Sequence, residues 1–332
     1  MREAELVMCG AVGSVLEKTG TRPEDVDILV TMCSIFCPTP SLASMIVSFG
    51  RRTVGCLLAT SRGCTPFEPG KKVRRDKAPR SSQKPTTPND KPKTSPTLTT
   101  PTTTQVNKFK MRQDIQAYHL GGMGCGNGVI AVGLVRDLLQ AHKGANVIFV
   151  PCEITTYAYY GGFHARYCVA NCIFRMGCAA ALLSNRRADA GRAKYRLLYA
   201  ERRHTGQDDE AYGAVRWGPD PDGVNGLYLS RSIVNHAGDA LEGCLKAVTP
   251  KILTWGQLGR GAANMAARAV YPSLGWPKPK SYVPDFTRCV QHFCIHAGGY
   301  AVLKGIQAGM KLPPREMIPS FAALRDYGNT SR

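Results

Sequence analysis

The sequence predicts an α/β fold built around a mostly parallel sheet, and three observations lead to this. An amphipathic helical stretch precedes a buried strand near the N-terminus. Residues 114–150 then run as strand, glycine-rich turn, helix and second buried strand, an order whose right-handed crossover places both strands parallel in one sheet. The order of strand, glycine turn and helix returns late in the chain. We therefore expect two halves of similar architecture.

The first unit is a helix followed by a strand. The apolar residues of "REAELVMCGAVGSVLEKTG" share one helical face, namely Val7, Ala11, Val15 and Leu16. Gly20 stands at the position where a helix stops. The next segment, "RPEDVDILVTMCSIF", is typical of a proline-led turn that leads into a buried strand over residues 26–32.

The later segments follow the same logic. "DIQAYHL" alternates like a strand and runs through the glycines into "VIAVGLVRDLLQAH", which has a helical apolar stripe of Ile130, Leu134, Val135 and Leu138. "ANVIFV", "AAALLSN" and "KYRLLYAERRH" predict strands, and "LYLSRSIVNHAGDALEGCLKAV" predicts a strand end and a long helix. "CVQHFCIHAGGYAVLKGIQAGM" predicts a strand, a glycine turn and a helix.

Residues 48–106 differ from the rest in composition. They are rich in Pro, Thr and Lys and lack apolar periodicity, which predicts a disordered insert. They hold twelve Lys or Arg and three acidic residues, so +9 of the formal net charge of +19 is local. A solvated insert is one interpretation, and a basic targeting or nucleic-acid-binding segment is the other.

Membrane and redox signals are weak. The longest apolar runs are far below the roughly 18 residues of a transmembrane helix, so the sequence predicts no spanning segment. Nothing at the N-terminus resembles a signal peptide. We therefore expect the thirteen cysteines to be mostly reduced.

Cys125 lies within "GGMGCGNG", where an extended run meets a helical one. A thiol at a helix N-terminus lies near partial positive charge and unpaired N–H groups, which favour the nucleophilic thiolate. Gly124 and Gly126 would permit a strained turn and the close approach of a substrate carbonyl. The alternative is a structural cysteine beside a flexible turn. A dinucleotide fingerprint would need Gly at Asn127, and a P-loop motif is absent, which makes phosphate binding unfavourable.

His292, Cys294 and His296 would share one face of the predicted strand in "HFCIHAGG". His296 would then lie at the carboxyl end of that strand, where the sites of α/β proteins gather. The alternative is one histidine in the core and one on the surface. No C-x2-C pair occurs, and the cysteine and histidine gaps do not favour zinc, so we expect no metal site.

Eight stretches resemble the plant very-long-chain 3-ketoacyl-CoA synthases, the condensing enzymes of fatty-acid elongation. They are "DVDILVTMCSIFCPTPSLASMIV", "NKFKMR", "HLGGMGCGNG", "DLLQAH", "NCIFRMGCAAALLSNR", "SYVPDF", "HFCIHAGGYAVL" and "YGNTS". The resemblance implies a thiolase-like αβαβα fold of two similar halves. By motif, Cys125 matches the acyl-accepting nucleophile, His296 the catalytic histidine and Asn329 the catalytic asparagine; His292 is a candidate supporting residue.

The implied reaction condenses a long-chain acyl-CoA with malonyl-CoA to give 3-oxoacyl-CoA, CO2 and CoA. Because loss of CO2 supplies the carbanion, no metal or redox cofactor is expected. The resemblance also implies an endoplasmic reticulum membrane location, a homo- or heterodimer and other elongase subunits as partners, and no nucleic acid. The alternatives are an inactive fragment or pseudoenzyme that dimerises with complete relatives, and a basic nucleic-acid-binding protein.

By comparison with the family, we expect the chain to divide into four segments. They are residues 1–47 as the start of the N-terminal half, 48–106 as the insert, 107–200 as the rest of that half, and 201–332 as the C-terminal half. The insert separates motifs that are otherwise contiguous, which suggests a retained intron or a gene-model error. Both ends are expected to be incomplete, and residues just beyond Asn329 are expected to fray. "YAYYGGFHARYCVAN" lies where contacts to the acyl chain are expected.

Overall fold

Three parallel strands form the centre of the computed structural model, which describes residues 2–39, 41–48 and 109–331. They are β1 (Ile28–Cys33), β2 (Gln116–Gly121) and β3 (Asn146–Glu153). β1 lies between the other two and pairs in parallel with both. The short strands β4 (Gly177–Cys178) and β5 (Ala181–Ser184) pair antiparallel with β3. The predicted α/β class is confirmed.

Helices cover both faces of this sheet. Helices α1 (Arg2–Thr19) and α2 (Leu42–Ser48) pack on one face, and α3 (Asn127–Ala141) packs on the other. Alternate residues of β1 serve the two cores, because Leu29 joins the α1 side and Val30 the α3 side. β1 and β3 are buried along their whole length, which explains why their sequences are nearly continuous apolar runs.

The buried face of α1 differs from the predicted one. Leu16 is buried as expected, but the residues that accompany it in the core are Ala4, Met8, Cys9 and Val12. Val7 and Val15 pack at the margin of the cluster. The prediction was wrong by about one position because apolar residues adjoin on two sides of this helix, and packing against β3 selects between them.

The later part of the chain is mainly helical. A hairpin of β6 (Val215–Pro219) and β7 (Asn225–Leu229) precedes the long helices. The helices are α4 (Ala165–Ile173), α5 (Asp209–Gly213), α6 (Ile233–Ile252), α7 (Trp255–Val270), α8 (Tyr300–Met310) and α9 (Pro314–Tyr327). A separate core lies beneath α8 and α9, formed by Phe286, Phe293, Leu303, Leu312 and Met317.

Two predicted strands of this part are absent from the described residues. "KYRLLYAERRH" is irregular and mostly exposed, and "CVQHFCIH" begins in a turn and a bend and joins no ladder. An extended segment becomes a strand only when a neighbouring strand takes its backbone hydrogen bonds. Here the Ile295 N–H donates to the Ser320 hydroxyl instead, at 3.0 Å. The glycine turn and helix that follow are formed as predicted, as α8.

Two expectations are not tested by the described residues. The predicted disordered insert, residues 48–106, lies outside the described residues except for Ser48. The four-segment division of the chain stays a prediction. Within the described ranges, no helix has the length and apolar character needed to cross a bilayer.

Candidate active site

The glycine-rich turn presents Cys125 at the start of α3. β2 ends at Gly121, a 3-10 turn covers Gly124–Gly126, and α3 begins at Asn127. Gly124 has φ +63°, a left-handed conformation that glycine adopts without strain. The Asn127 side-chain amide donates to the Leu120 carbonyl at 3.1 Å and ties the helix start to the strand end. The predicted position of the thiol at a helix N-terminus is confirmed.

His296 comes from the irregular segment before α8. In this segment Phe293 packs into the core and Ile295 packs against it, while His292 is exposed and His296 is half-buried. The Gly298 N–H donates to the His296 carbonyl at 2.8 Å, which turns the chain toward α8. The alternation predicted for a strand is therefore present, although the strand ladder is not.

Asn329 follows α9, which ends at Tyr327. Its N–H donates to the Ile173 carbonyl at 3.0 Å, and its carbonyl accepts from the Arg175 N–H at 2.9 Å. Asn329 and Ser331 are each only 1% exposed. Within the described residues, the expectation of fraying beyond Asn329 is wrong, because Thr330 and Ser331 are buried and a parallel bridge ties Asn329 to Phe174.

These three segments meet at the Cys125 sulfur. The Asn329 Nδ2 lies 4.0 Å from Cys125 Sγ and also donates to the Gly298 carbonyl at 3.2 Å. His296 makes a side-chain hydrogen bond with the same thiol. The structure thus brings Cys125, His296 and Asn329 together. Among the described residues, His292 makes no hydrogen bond or ion pair with Cys125, His296 or Asn329.

The surroundings change the acidity of the thiol. Desolvation raises the pKa of Cys125, but the hydrogen bond and charge of His296 and the hydrogen bonds from Ser331 and Asn329 outweigh it. The net pKa is lower than that of an ordinary thiol. A larger fraction of Cys125 is therefore thiolate at a given pH than for an ordinary thiol.

The pKa values of neighbouring cysteines are raised rather than lowered. Burial, and after it the Glu153 carboxylate, raises the pKa of Cys33 to about 12. A hydrogen bond with Cys178 and burial raise the pKa of Cys152, and burial raises that of Cys37. Among these four thiols, Cys125 alone combines an exposed face with a lowered pKa.

Three further residues around the thiol were missed from sequence. Ser331 Oγ lies 3.5 Å from Cys125 Sγ and 3.0 Å from Ser34 Oγ. Ser34 follows β1, and its N–H donates to the buried Glu153 carboxylate at 3.3 Å. Ser331 belongs to the "YGNTS" motif, which offered a signal. Ser34 and Glu153 carried none, because only the tertiary structure brings them near Cys125.

A cavity of about 240 Å³ lies beside this cluster. Two of its lining residues are neighbours of the site, because Ile35 follows Ser34 and Phe174 is bridged to Asn329. Its other lining residues are Thr155, Thr156, Ala158, Tyr159, Ala170, Asn171 and Leu227. Four of these fall within "YAYYGGFHARYCVAN", the segment for which acyl-chain contacts were predicted.

One group in the described part of the chain has metal-ligand geometry. Ligand atoms of His164, Asp220 and Asp222 lie within 4.8 Å of one another. Protein groups already occupy these atoms: His164 Nε2 is 2.9 Å from Asp222 Oδ2, and Asp220 accepts from the Tyr160 hydroxyl and the Val224 N–H. The expectation of a cofactor-free protein stays a prediction.

Comparison with known protein families identifies the family of the chain. The sequence model of the FAE1/Type III polyketide synthase-like protein family matches residues 1–64 and 93–270. The chain belongs to this family. The FAE1/type III polyketide synthase-like match omits residues 65–92, which lie inside the predicted insert.

The curated relatives agree with this assignment. The chain is 34% identical to 3-ketoacyl-CoA synthase 5 and 36% identical to 3-ketoacyl-CoA synthase 2, both of Arabidopsis thaliana. Each alignment covers 99% of the chain but only 54% and 51% of the relative, so the chain spans about half their length.

Solved structures show the fold. A type III pentaketide synthase from Neurospora crassa matches with a TM-score of 0.58 at 14% identity, covering 98% of the chain and 65% of that structure. The 1,3,6,8-tetrahydroxynaphthalene synthase from Streptomyces coelicolor A3(2) matches with a TM-score of 0.57 at 14% identity, covering 99% and 67%. The thiolase-like fold expected from the resemblance is confirmed.

Proposed function

We propose that the protein is a 3-ketoacyl-CoA synthase, an acyltransferase that condenses a long-chain acyl-CoA with malonyl-CoA. The observation that carries this proposal is the meeting of His296, Asn329 and a thiol of lowered pKa at the start of a helix. The named function of the Arabidopsis thaliana relatives supports the same chemistry.

The first half-reaction is acyl transfer to Cys125. The thiolate attacks the carbonyl carbon of the acyl-CoA thioester, the carbon–sulfur bond to CoA breaks, and CoA leaves as a thiolate that takes a proton. The lowered pKa of Cys125 raises the fraction of reactive thiolate. The open turn around Gly124 leaves room for the carbonyl to approach the sulfur.

The second half-reaction forms the new carbon–carbon bond. Malonyl-CoA loses CO2, and the electron pair of the broken bond becomes an enolate whose oxygen carries negative charge. His296 and the Asn329 amide lie against the Cys125 sulfur and can donate hydrogen bonds, and they stabilise this oxygen. The enolate carbon attacks the acyl-cysteine thioester, Cys125 leaves, and 3-oxoacyl-CoA is released two carbons longer.

The acyl chain is proposed to enter the cavity beside the cluster. Its lining residues Ile35 and Phe174 neighbour Ser34 and Asn329 of the site, and Ala158 and Ala170 are among its buried small residues. Small side chains leave space that an apolar chain fills favourably, since burial of each methylene contributes about 0.8 kcal/mol. Filling that space from the protein side should shorten the accepted chain.

The test is expression in yeast microsomes supplied with labelled malonyl-CoA and a series of acyl-CoAs. The parent chain is expected to elongate an acyl-CoA, and Cys125→Ser is expected to abolish the labelled product. Cys244→Ser, in α6, is the matched control that keeps activity. Elongation that persists in Cys125→Ser would remove this thiol from the mechanism, and no elongation by the parent would favour the inactive-fragment alternative.

Location and partners form part of the same proposal. We expect the protein to act at the endoplasmic reticulum membrane, as a dimer and with other elongase subunits. Membrane fractionation of plant cells expressing a tagged chain, followed by crosslinking, tests this. Recovery in the membrane fraction with a crosslinked band at twice the monomer mass supports it, whereas a monomer in the supernatant contradicts it.

A further inference from the structure

The hydroxyl of Ser331 has two acceptors but a single proton. Its Oγ lies 3.5 Å from Cys125 Sγ and 3.0 Å from Ser34 Oγ. Ser34 already uses its own proton, because its hydroxyl donates to the Gly124 carbonyl at 2.8 Å. Ser34 therefore acts as an acceptor toward Ser331, and the Ser331 proton goes either to Ser34 or to the sulfur.

The backbone around Ser331 is held in an unusual conformation. Ser331 has φ +58°, in the left-handed region that non-glycine residues rarely adopt. The Asn329 side-chain carbonyl holds it there by accepting from the Ser331 N–H at 2.8 Å. The side chain is 1% exposed, so water does not compete for its hydroxyl. The local geometry therefore aims one buried donor at the reactive sulfur.

We propose that Ser331 is a further catalytic residue, which donates to Cys125 while the sulfur is a thiolate and turns to Ser34 once the sulfur is acylated. A thiolate is a charged and strong acceptor, whereas a thioester sulfur is neutral and weak. Rotation about one bond is enough to change the partner. The hydroxyl thus stabilises the nucleophile before acyl transfer and remains satisfied afterward.

The effect of Ser331 on Cys125 can be measured separately from the effects of the other groups around the sulfur. His296 is the charged group, and Ser331 and Asn329 are the neutral donors. Glu153 lies behind Ser34 and holds its backbone N–H, rather than contacting the thiol. The thiolate part of the proposal needs no substrate, while the acylated part rests on the proposed function.

The experiment measures the alkylation rate of Cys125 by iodoacetamide from pH 5 to 10 on the full chain. The tryptic peptide between Arg112 and Arg136 has Cys125 as its one cysteine, so mass spectrometry reports this thiol among the thirteen. Ser331→Gly removes the hydroxyl and tolerates the left-handed backbone, and Ser331→Ala removes it with some strain. Both are expected to raise the pKa of Cys125 by about 1.

Ser34→Ala is the matched variant with the opposite expectation. It leaves the sulfur as the remaining acceptor for Ser331, so the pKa of Cys125 stays unchanged or falls. An unchanged pKa in Ser331→Gly would overturn the proposal. So would a rise in Ser34→Ala as large as that in Ser331→Gly, because the two hydroxyls would then act through packing alone.

A second readout separates this proposal from the proposed function. Acyl-enzyme formation with a labelled acyl-CoA, measured below the pKa that the alkylation profile gives for the parent, is expected to slow about tenfold in Ser331→Gly, in proportion to the lost thiolate. If the alkylation profile shifts as expected and the parent forms no acyl-enzyme, the role of Ser331 at the thiolate stands and the proposed function falls.

Discussion

Glu153 is a buried carboxylate whose removal should both destabilise the protein and disturb the site. It is 0% exposed and accepts from the Ser34 and Ile35 N–H groups at 3.3 and 3.1 Å and from the Cys33 thiol at 3.2 Å. These bonds fix the chain where it leaves β1 and therefore fix Ser34. The substitution Glu153→Ala leaves both backbone donors without their acceptor.

The magnitude follows from the two orphaned donors. An unsatisfied buried N–H costs about 1–3 kcal/mol, so two cost about 2–6 kcal/mol. Since Ser34 is only half-buried, water replaces part of its bond, and we expect a loss of about 2–4 kcal/mol in the free energy of unfolding. Urea denaturation followed by far-ultraviolet circular dichroism measures this quantity.

Two control variants define the result that would refute this reasoning. Glu153→Gln keeps one carbonyl acceptor, so its free energy of unfolding should fall less than that of Glu153→Ala. Glu242→Ala removes an exposed partner of Lys246 and should change stability by less than about 0.5 kcal/mol. If Glu153→Ala were as stable as Glu242→Ala, the carboxylate would not be holding the backbone after β1.

Three further outcomes are expected. His296→Ala should raise the pKa of Cys125, because the thiolate loses its charged partner while desolvation remains; the alkylation profile then moves to higher pH. Gly328→Ala should destabilise by about 1–3 kcal/mol and slow elongation, because Gly328 has φ +68° and ψ −163°, a region nearly confined to glycine. Ala170→Phe should fill the cavity and shorten the longest acyl-CoA elongated in the microsomal assay, at a cost of about 1–3 kcal/mol in stability because Ala170 is buried.

Each of these has a matched comparison. Cys125 alkylation unchanged in His296→Ala would contradict the assigned contact. Gly309→Ala, at a helical position with open space, should stabilise by about 0.5–1 kcal/mol, so a loss equal to that of Gly328→Ala would contradict the backbone argument. Val169→Phe on the exposed side of α4 should leave chain length unchanged, and an equal effect from both would argue against the cavity.

The sequence determined the elements in which local pattern and burial agree. The strands β1, β2 and β3 and the helix α3 were predicted because each is a short run of consistent periodicity between glycine or proline signals. The position of Cys125 at the start of α3 followed from the same local signals. The pairing of Cys125 with His296 and Asn329 came from family motifs rather than from the physics of the chain.

Tertiary structure alone decided the features that depend on distant neighbours. The buried side of α1 was set by packing on β3, and the segment around His296 stayed outside a ladder because Ser320 takes the Ile295 N–H. Ser34 and Ser331 are 297 residues apart in sequence, yet their hydroxyls meet. Local periodicity fixes which face a residue can present, but only the closed fold fixes what that face meets.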